Sequence, residues 1–250
     1  MKPVKAIGFD LFNTLISADP GGVELAMARI IANLRQAGFP LEEETFKTAY
    51  RQAAIHFIKE ARREGRETHN RFWISAALTE LGYDLPPEDP RIAAAVEAYF
   101  SAFYDFCHLI PGTVEMLREL GERYPLGLLS NFTHAPAARG LMEHLGLTPY
   151  FDVVLISGDL GYRKPHPYVF RRLIEALDVP QAQILFIGDD LEPDIRGALE
   201  AGLRAVWMTY VRESQAPPFP SSVTPGEEIP EDGVDRIVTW DDLFGLLASE

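Results

Sequence analysis

One cysteine, Cys107, is all that 250 residues contain. That excludes an internal disulfide and fits a reducing compartment. With Tyr104 and Phe106 nearby, Cys107 reads as a small buried hydrophobe rather than a catalytic thiol. Basic charge is also scarce: 23 Lys and Arg face 37 Asp and Glu, a formal net charge of -14. This balance argues against nucleic-acid and anionic-membrane partners, and the acids, spread along the chain, serve solubility. No stretch approaches the roughly 18 apolar residues of a membrane span. Asp10 interrupts the first apolar run well short of a secretory signal core. A soluble cytoplasmic protein, monomer or homodimer, is the expectation. What is present is ordinary globular material: 47% hydrophobic and 24% charged residues, enough for one domain or one with an insertion.

The chain changes character three times. Val4-Lys5-Ala6-Ile7-Gly8-Phe9 reads as a buried strand. From about 20 to 106 the pattern is helical. Val23, Met27, Ile30 and Leu34 form one apolar stripe closed by Gly38, and Phe46, Tyr50, Ala53 and Phe57 form a second running to Gly65. Asn70 can cap a third helix carrying Trp73, Ala77 and Leu81, and Asp89-Pro90 opens a fourth with Ile92, Val96, Tyr99 and Phe103 on one face. Four amphipathic helices with short turns predict a small bundle, whose aromatic residues read as its core. After Pro111, short apolar runs at 126–129, 153–156, 184–187 and 205–208 alternate with helical segments. That alternation predicts a parallel sheet covered on both faces, with the bundle inserted after the first strand. Pro217, Pro218, Pro220, Pro225 and Pro230 mark about 213–233 as an extended loop, before a last strand at 236–238 and a short helix around 243–247.

The polar residues fall at the strand ends. Asp10 follows the first strand, Ser130-Asn131 the second, and Gly188-Asp189-Asp190 the run at 184–187, with Asp194 four residues further on. Lys164 lies in Gly161-Tyr162-Arg163-Lys164-Pro165, after the run at 153–156. Singly, each has a plain reading: a turn or cap for Ser-Asn, a helix start for Gly-Asp-Asp, a surface lysine for Lys164. Jointly, they converge, because loops from one edge of a parallel sheet can meet in a single pocket. Two carboxylates from different loops, Asp10 and Asp189, suit Mg²⁺, which takes one or two carboxylates and leaves its other positions to water and phosphate. A lysine and a serine hydroxyl can hold phosphoryl oxygens while Asp10 attacks in line, giving an aspartyl-phosphate that water later cleaves.

These residues in this order resemble the haloacid dehalogenase (HAD) superfamily, mostly Mg²⁺-dependent phosphohydrolases. Asp10-Leu11-Phe12-Asn13-Thr14 looks like the first motif, Leu128-Leu129-Ser130-Asn131 the second, Arg163-Lys164-Pro165 the third, and Gly188-Asp189 through Asp194 to Gly202 the fourth. The resemblance implies an α/β fold: a Rossmann-like three-layer core with a mainly parallel sheet, plus an inserted four-helix cap. The expected division is 1–16 and 107–250 for the core and 17–106 for the cap. It further implies Asp10 as nucleophile and metal ligand, the Phe12 carbonyl and Asp189 as further ligands, and Asp194 or Asp190 in the outer shell. Ser130 and Lys164 would hold the phosphoryl group, with Thr14 and Asn131 of the same motifs beside it, and a small phosphorylated metabolite as substrate.

One position departs from the pattern. Phosphatases of this type carry a second aspartate, an acid/base, where this chain has Phe12. Positioned acid–base catalysis is typically worth about 10²–10⁴-fold, or roughly 3–5 kcal/mol of barrier. The loss weighs most on alkoxide leaving groups and least on anhydrides, acyl phosphates and aryl phosphates, unless the cap supplies an acid, with His56, His69 or a cap glutamate as candidates. Haloacid dehalogenases carry an aromatic residue here and need no metal, which makes metal-independent dehalogenation the alternative. Against it, Asp189, Asp190 and Asp194 crowd a loop whose acids would repel without a cation. A catalytically weak or silent binding protein is a second alternative. Phosphonate hydrolysis would need a cap lysine, and neither Lys47 nor Lys59 is marked for the role.

Overall fold

Short β-branched and leucine-rich runs bounded by glycine or polar residues form the strands, and they assemble into a six-stranded sheet among the described residues. The computed structural model describes residues 3–214 and 234–248. The proline-rich segment expected as an extended loop lies almost wholly outside them. The strands are β1 (Ala6–Phe9), β2 (Ile16–Ala18), β3 (Cys107–Leu109), β4 (Leu126–Ser130), β5 (Val153–Ile156), β6 (Ile184–Gly188), β7 (Arg204–Met208) and β8 (Asp235–Ile237). The sheet runs β5-β4-β1-β6-β7-β8, and every neighbouring pair is parallel. β1 therefore lies between β4 and β6, with Phe9 level with Leu128 on one side and Ile187 on the other. Chain order reverses at β1, so a crevice opens beyond the carboxyl ends of β1, β4 and β6.

Helices cover both faces. Leu173, Phe170 and Leu177 of the helix Pro167–Leu177 pack with Phe186 on one face, and Met116, Leu117, Leu128 and Trp240 belong to the larger core on the other. Cys107 is buried at the start of β3, and burial pushes its thiol up to about 12, an inert group.

Between β2 and β3 the chain makes four long helices: α1 (Gly22–Gln36), α2 (Glu43–Glu64), α3 (Arg71–Glu80) and α4 (Pro90–Ser101). The caps follow local chemistry. Asp89 accepts from the Arg91 N–H with Pro90 in the first turn, and Glu42 accepts from the N–H groups of Glu44 and Thr45. Asn70 stands at the start of α3 but makes no side-chain cap bond. The stems of this insertion pair as an antiparallel ribbon, Ile16 with Leu109 and Ala18 with Cys107, which the sequence pattern did not reveal.

The insertion also reaches back to the core. Glu67 N–H donates to the Gly161 carbonyl at 3.1 Å and Arg163 N–H donates to the Gly65 carbonyl at 3.0 Å. Arg66 and Tyr162 form an antiparallel bridge between these bonds. Gly65 permits the approach: its φ is +67°, and a Cβ there would stand 2.8 Å from the His166 ring. Beside the bridge, the Glu67 side chain is only 4% exposed, 3.6 Å from Arg163 and accepting from the Ser157 hydroxyl at 2.5 Å.

Candidate active site

Lys164 is the centre of the crevice. Its side chain is 1% exposed, and its ammonium lies 2.7 Å from Asp10 Oδ1, the Leu129 carbonyl and Asp194 Oδ1 alike. Burial works against that charge, but Asp10 and Asp194 outweigh it and raise the lysine's pKa, so the group is a fixed cation. Asn131 sets its backbone: the side-chain carbonyl accepts from Lys164 N–H at 2.7 Å and the amide nitrogen donates to the Lys164 carbonyl at 3.0 Å.

Asp10 sits on the first residue past β1, with Lys164 on one oxygen and the Thr14 hydroxyl 3.3 Å from the other. Burial is the main cause that lifts its pKa to about 6; Lys164 opposes the shift and Asp194 adds to it. Asn13, at φ 58°, takes the left-handed conformation that turns the chain back towards β2.

Asp189 and Asp194 come from the turn after β6, where Leu191–Arg196 forms a π-helical turn. Asp190 N–H donates to Asp194 Oδ2 at 3.0 Å, and Trp207 Nε1 donates to the Asp189 carbonyl at 2.8 Å. Gly188 makes room: a Cβ there would fall 2.5 Å from Asp194 Cβ. One oxygen from each of Asp10, Asp189 and Asp194 lies within 4.8 Å of the others. Burial first, then repulsion from Asp10, Asp194 and Asp190, raises the Asp189 pKa well above the carboxylate range.

Three buried carboxylates thus face one buried ammonium. The donors are all hard oxygens, and the burial and mutual repulsion that raise the pKa values of Asp10 and Asp189 are what a divalent cation would offset. The residues present fit Mg²⁺.

Ser130 ends β4, and its buried hydroxyl makes no hydrogen bond among the described residues. It lines the same pocket as Asp10, Phe12, Asn131, Lys164, Asp189 and Asp194. Thr14 and Asn131, expected beside substrate, are otherwise engaged: Thr14 with Asp10, Asn131 with the backbone of Lys164.

Phe12 is 6% exposed, stacked on Phe132 at 5.1 Å and 4°, with Phe103 edge-on at 6.2 Å. The two histidines named as its replacements are elsewhere. His56 is exposed on α2 beside Glu60. His69 Nδ1 accepts from Arg71 N–H while Nε2 meets His134 at 3.0 Å, and burial is the main cause that lowers its pKa to about 4. Neither histidine lines the pocket. Lys47 is held by Glu43 and Glu44 on the surface of α2. The sequence did not single out Arg163, Arg62 or Glu192, which also line it; for Arg163, adjacency to Lys164 was the available signal.

The sequence matches the haloacid dehalogenase-like hydrolase family over residues 4–202. The chain belongs to that family. Among HAD-like relatives, a glyceraldehyde 3-phosphate phosphatase of Pyrococcus abyssi is 32% identical over 210 residues, 83% of this chain and 82% of that one. A ribulose-1,5-bisphosphate 5-phosphatase of Halopiger xanaduensis is 31% identical over 84% of this chain and 87% of its own. Among solved structures, a 2-haloacid dehalogenase from Pseudomonas syringae superposes with a TM-score of 0.70 at 24% identity, covering 98% of this chain and 99% of that one. The HAD-hydrolase YfnB of Bacillus subtilis, bound to magnesium, gives 0.64 at 23% identity with the same coverage. At that identity these two share the fold. The chain is a HAD-like hydrolase, and its sequence relatives are phosphatases. No helix among the described residues is long and apolar enough to cross a membrane.

Proposed function

We propose that this protein is a Mg²⁺-dependent phosphohydrolase that transfers the phosphoryl group of a small metabolite to Asp10 and then to water, with residues 17–106 acting as the cap. The observation that carries the reading is the cluster of Asp10, Asp189 and Asp194 around Lys164, with its surplus of buried negative charge. Asp10, Asp189 and the Phe12 carbonyl would hold the cation, with Asp194 beside them. When bound, Mg²⁺ supplies charge neutralisation for a phosphoryl dianion approaching Asp10.

The protein's own groups do the rest. Asp10 Oδ attacks phosphorus and the bond to the leaving oxygen breaks. The Ser130 hydroxyl, unpartnered among the described residues, offers a donor to an equatorial oxygen, and the Lys164 ammonium supplies positive charge beside Asp10, where charge develops. Asn131 fixes the backbone from which Lys164 reaches, so that charge is preorganised. With no acid at Phe12, the leaving group departs without a proton from that side. Phosphatase-named relatives at about 30% identity support the reaction class.

The aromatic residue at Phe12 favours dehalogenation as the competing reading, and one assay separates them. Incubation with p-nitrophenyl phosphate and with 2-chloropropionate, each with Mg²⁺ or EDTA, should give phosphate release that EDTA abolishes. Chloride release insensitive to EDTA refutes the proposal. Asp10→Asn should remove the activity, and surviving turnover would unseat Asp10 as nucleophile.

A further inference from the structure

A second pocket adjoins the first. Its apolar walls are Ile58 of α2, Trp73 of α3, Tyr99 and Phe100 of α4, and Phe103 and Phe132, with Glu67, Asn70 and Thr133 as polar lining. Asn131 and Arg163 line both pockets. The rings contact one another: Phe132 lies 5.0 Å from Phe100 and 5.7 Å from Phe103, and Tyr99 5.7 Å from Phe103. Phe132 is also the ring stacked on Phe12. The aromatic wall is thus continuous from the site of phosphoryl transfer into the insertion.

Two of the ring and guanidinium donors in that lining are unsatisfied. Trp73 Nε1 and Arg163 Nε are buried and make no hydrogen bond among the described residues. A buried N–H without a partner costs free energy of about 1–3 kcal/mol, which a ligand carrying an acceptor would recover.

We infer that the second pocket takes the leaving group, and that the leaving group is a planar aromatic alcohol with a polar substituent. The substrate class is an aryl or heteroaryl phosphate monoester. This rests on the phosphohydrolase reading of Asp10. Two independent features converge on it. The pocket offers ring faces for stacking and two N–H groups for an acceptor. The reacting end lacks an acid at Phe12, which favours a leaving oxygen that can depart as an anion. A phenol ionises near pH 10 whereas an alkoxide is as basic as hydroxide, at roughly 16, so a phenolate can leave unaided. In the step itself, the bond from Asp10 Oδ to phosphorus forms and the bond from phosphorus to the aryl oxygen breaks. The bonding electron pair stays on the phenolate, which takes its proton from water after release. Water then cleaves the acyl phosphate, returning Asp10 and phosphate.

Initial rates of phosphate release from 1-naphthyl phosphate, glycerol 2-phosphate and acetyl phosphate, with Mg²⁺, test this. Acetate is a good leaving group that needs no ring pocket, so acetyl phosphate reports the phosphoryl-transfer machinery. The expected kcat/KM for 1-naphthyl phosphate exceeds that for glycerol 2-phosphate by about 10²–10⁴-fold, the size of the missing acid's contribution. Ile58→Trp, at a half-buried position, fills the pocket and should lower the naphthyl-to-acetyl ratio at least about tenfold. The wild-type ratio stands even where that variant misfolds. Hydrolysis of acetyl phosphate without preference for naphthyl over glycerol phosphate overturns the pocket assignment and spares the phosphatase. So does a folded Ile58→Trp with an unchanged ratio. No phosphate release from any of the three overturns the phosphohydrolase reading and the inference with it.

Discussion

Phe12→Asp places a carboxyl where phosphatases of this family keep their acid, and the structure sets both its cost and its gain. The ring removed is 6% exposed, stacked on Phe132 at 5.1 Å and edge-on to Phe103. Truncating such a ring costs about 3–5 kcal/mol, a large share of a typical stability of about 5–15 kcal/mol. The variant should therefore be assayed well below its lowered melting temperature and with Mg²⁺ present. The same apolar neighbours raise the new carboxyl's pKa by desolvation, which keeps it protonated near neutral pH and able to donate. Without hydrogen-bond partners to orient it, its gain should sit at the low end of acid–base catalysis, about 10²-fold. That gain should show in kcat on glycerol 2-phosphate. It should be nearly absent on an aryl phosphate, whose leaving group asks for no proton. Phosphate release measured side by side on the two substrates decides. An equal gain on both, or none in a folded variant that Mg²⁺ still stabilises, would refute the reasoning.

Lys164→Met leaves Asp10 and Asp194 buried without their ammonium, and should cost about 3–5 kcal/mol, read as a lower melting temperature in EDTA by calorimetry; an unchanged melting temperature would contradict the ion-pair geometry. Because burial raises the pKa of Asp10 to about 6, the folded protein binds more protons than the unfolded chain between the ordinary carboxylate pKa and about 6. Its contribution to stability in EDTA therefore falls as pH rises through that window. Mg²⁺ binds the ionised form, so the thermal shift it causes should be larger at pH 8 than at pH 5, and an equal shift at both would count against a carboxylate metal site. Glu67→Gln removes the charge that faces Arg163 and should loosen the insertion from the core, seen as a larger radius of gyration in small-angle scattering with a raised KM; identical scattering would show that the bridge at 65–67 holds without it.

Much of this was written in local pattern. Strand ends carry Asp10, Ser130 and Asp189 because short apolar runs stop at polar residues, and a parallel sheet brings such ends together. The capping of α4 by Asp89-Pro90 was equally plain. What stayed hidden depends on contacts distant in sequence. The ribbon of β2 and β3 pairs three-residue strands about 90 positions apart, too short for any period. Glu67 and Arg163 look like surface charges until the insertion folds back. The motif places Asn131 beside the pocket, but not the hold that both ends of its amide keep on Lys164. His69 was attractive as an acid on residue type alone; its partner His134 lies 65 residues away.

The bridge between residues 65–67 and 161–163 has one further consequence. The residue next to the bridged segment is Lys164, the counter-charge of Asp10. The bonds at Gly161 and Arg163 thus tie residues 65–67 of the insertion to the same stretch of backbone that carries the ammonium. Any displacement of residues 65–67 would therefore be felt first at the backbone on either side of Tyr162, one residue from the buried ion pair.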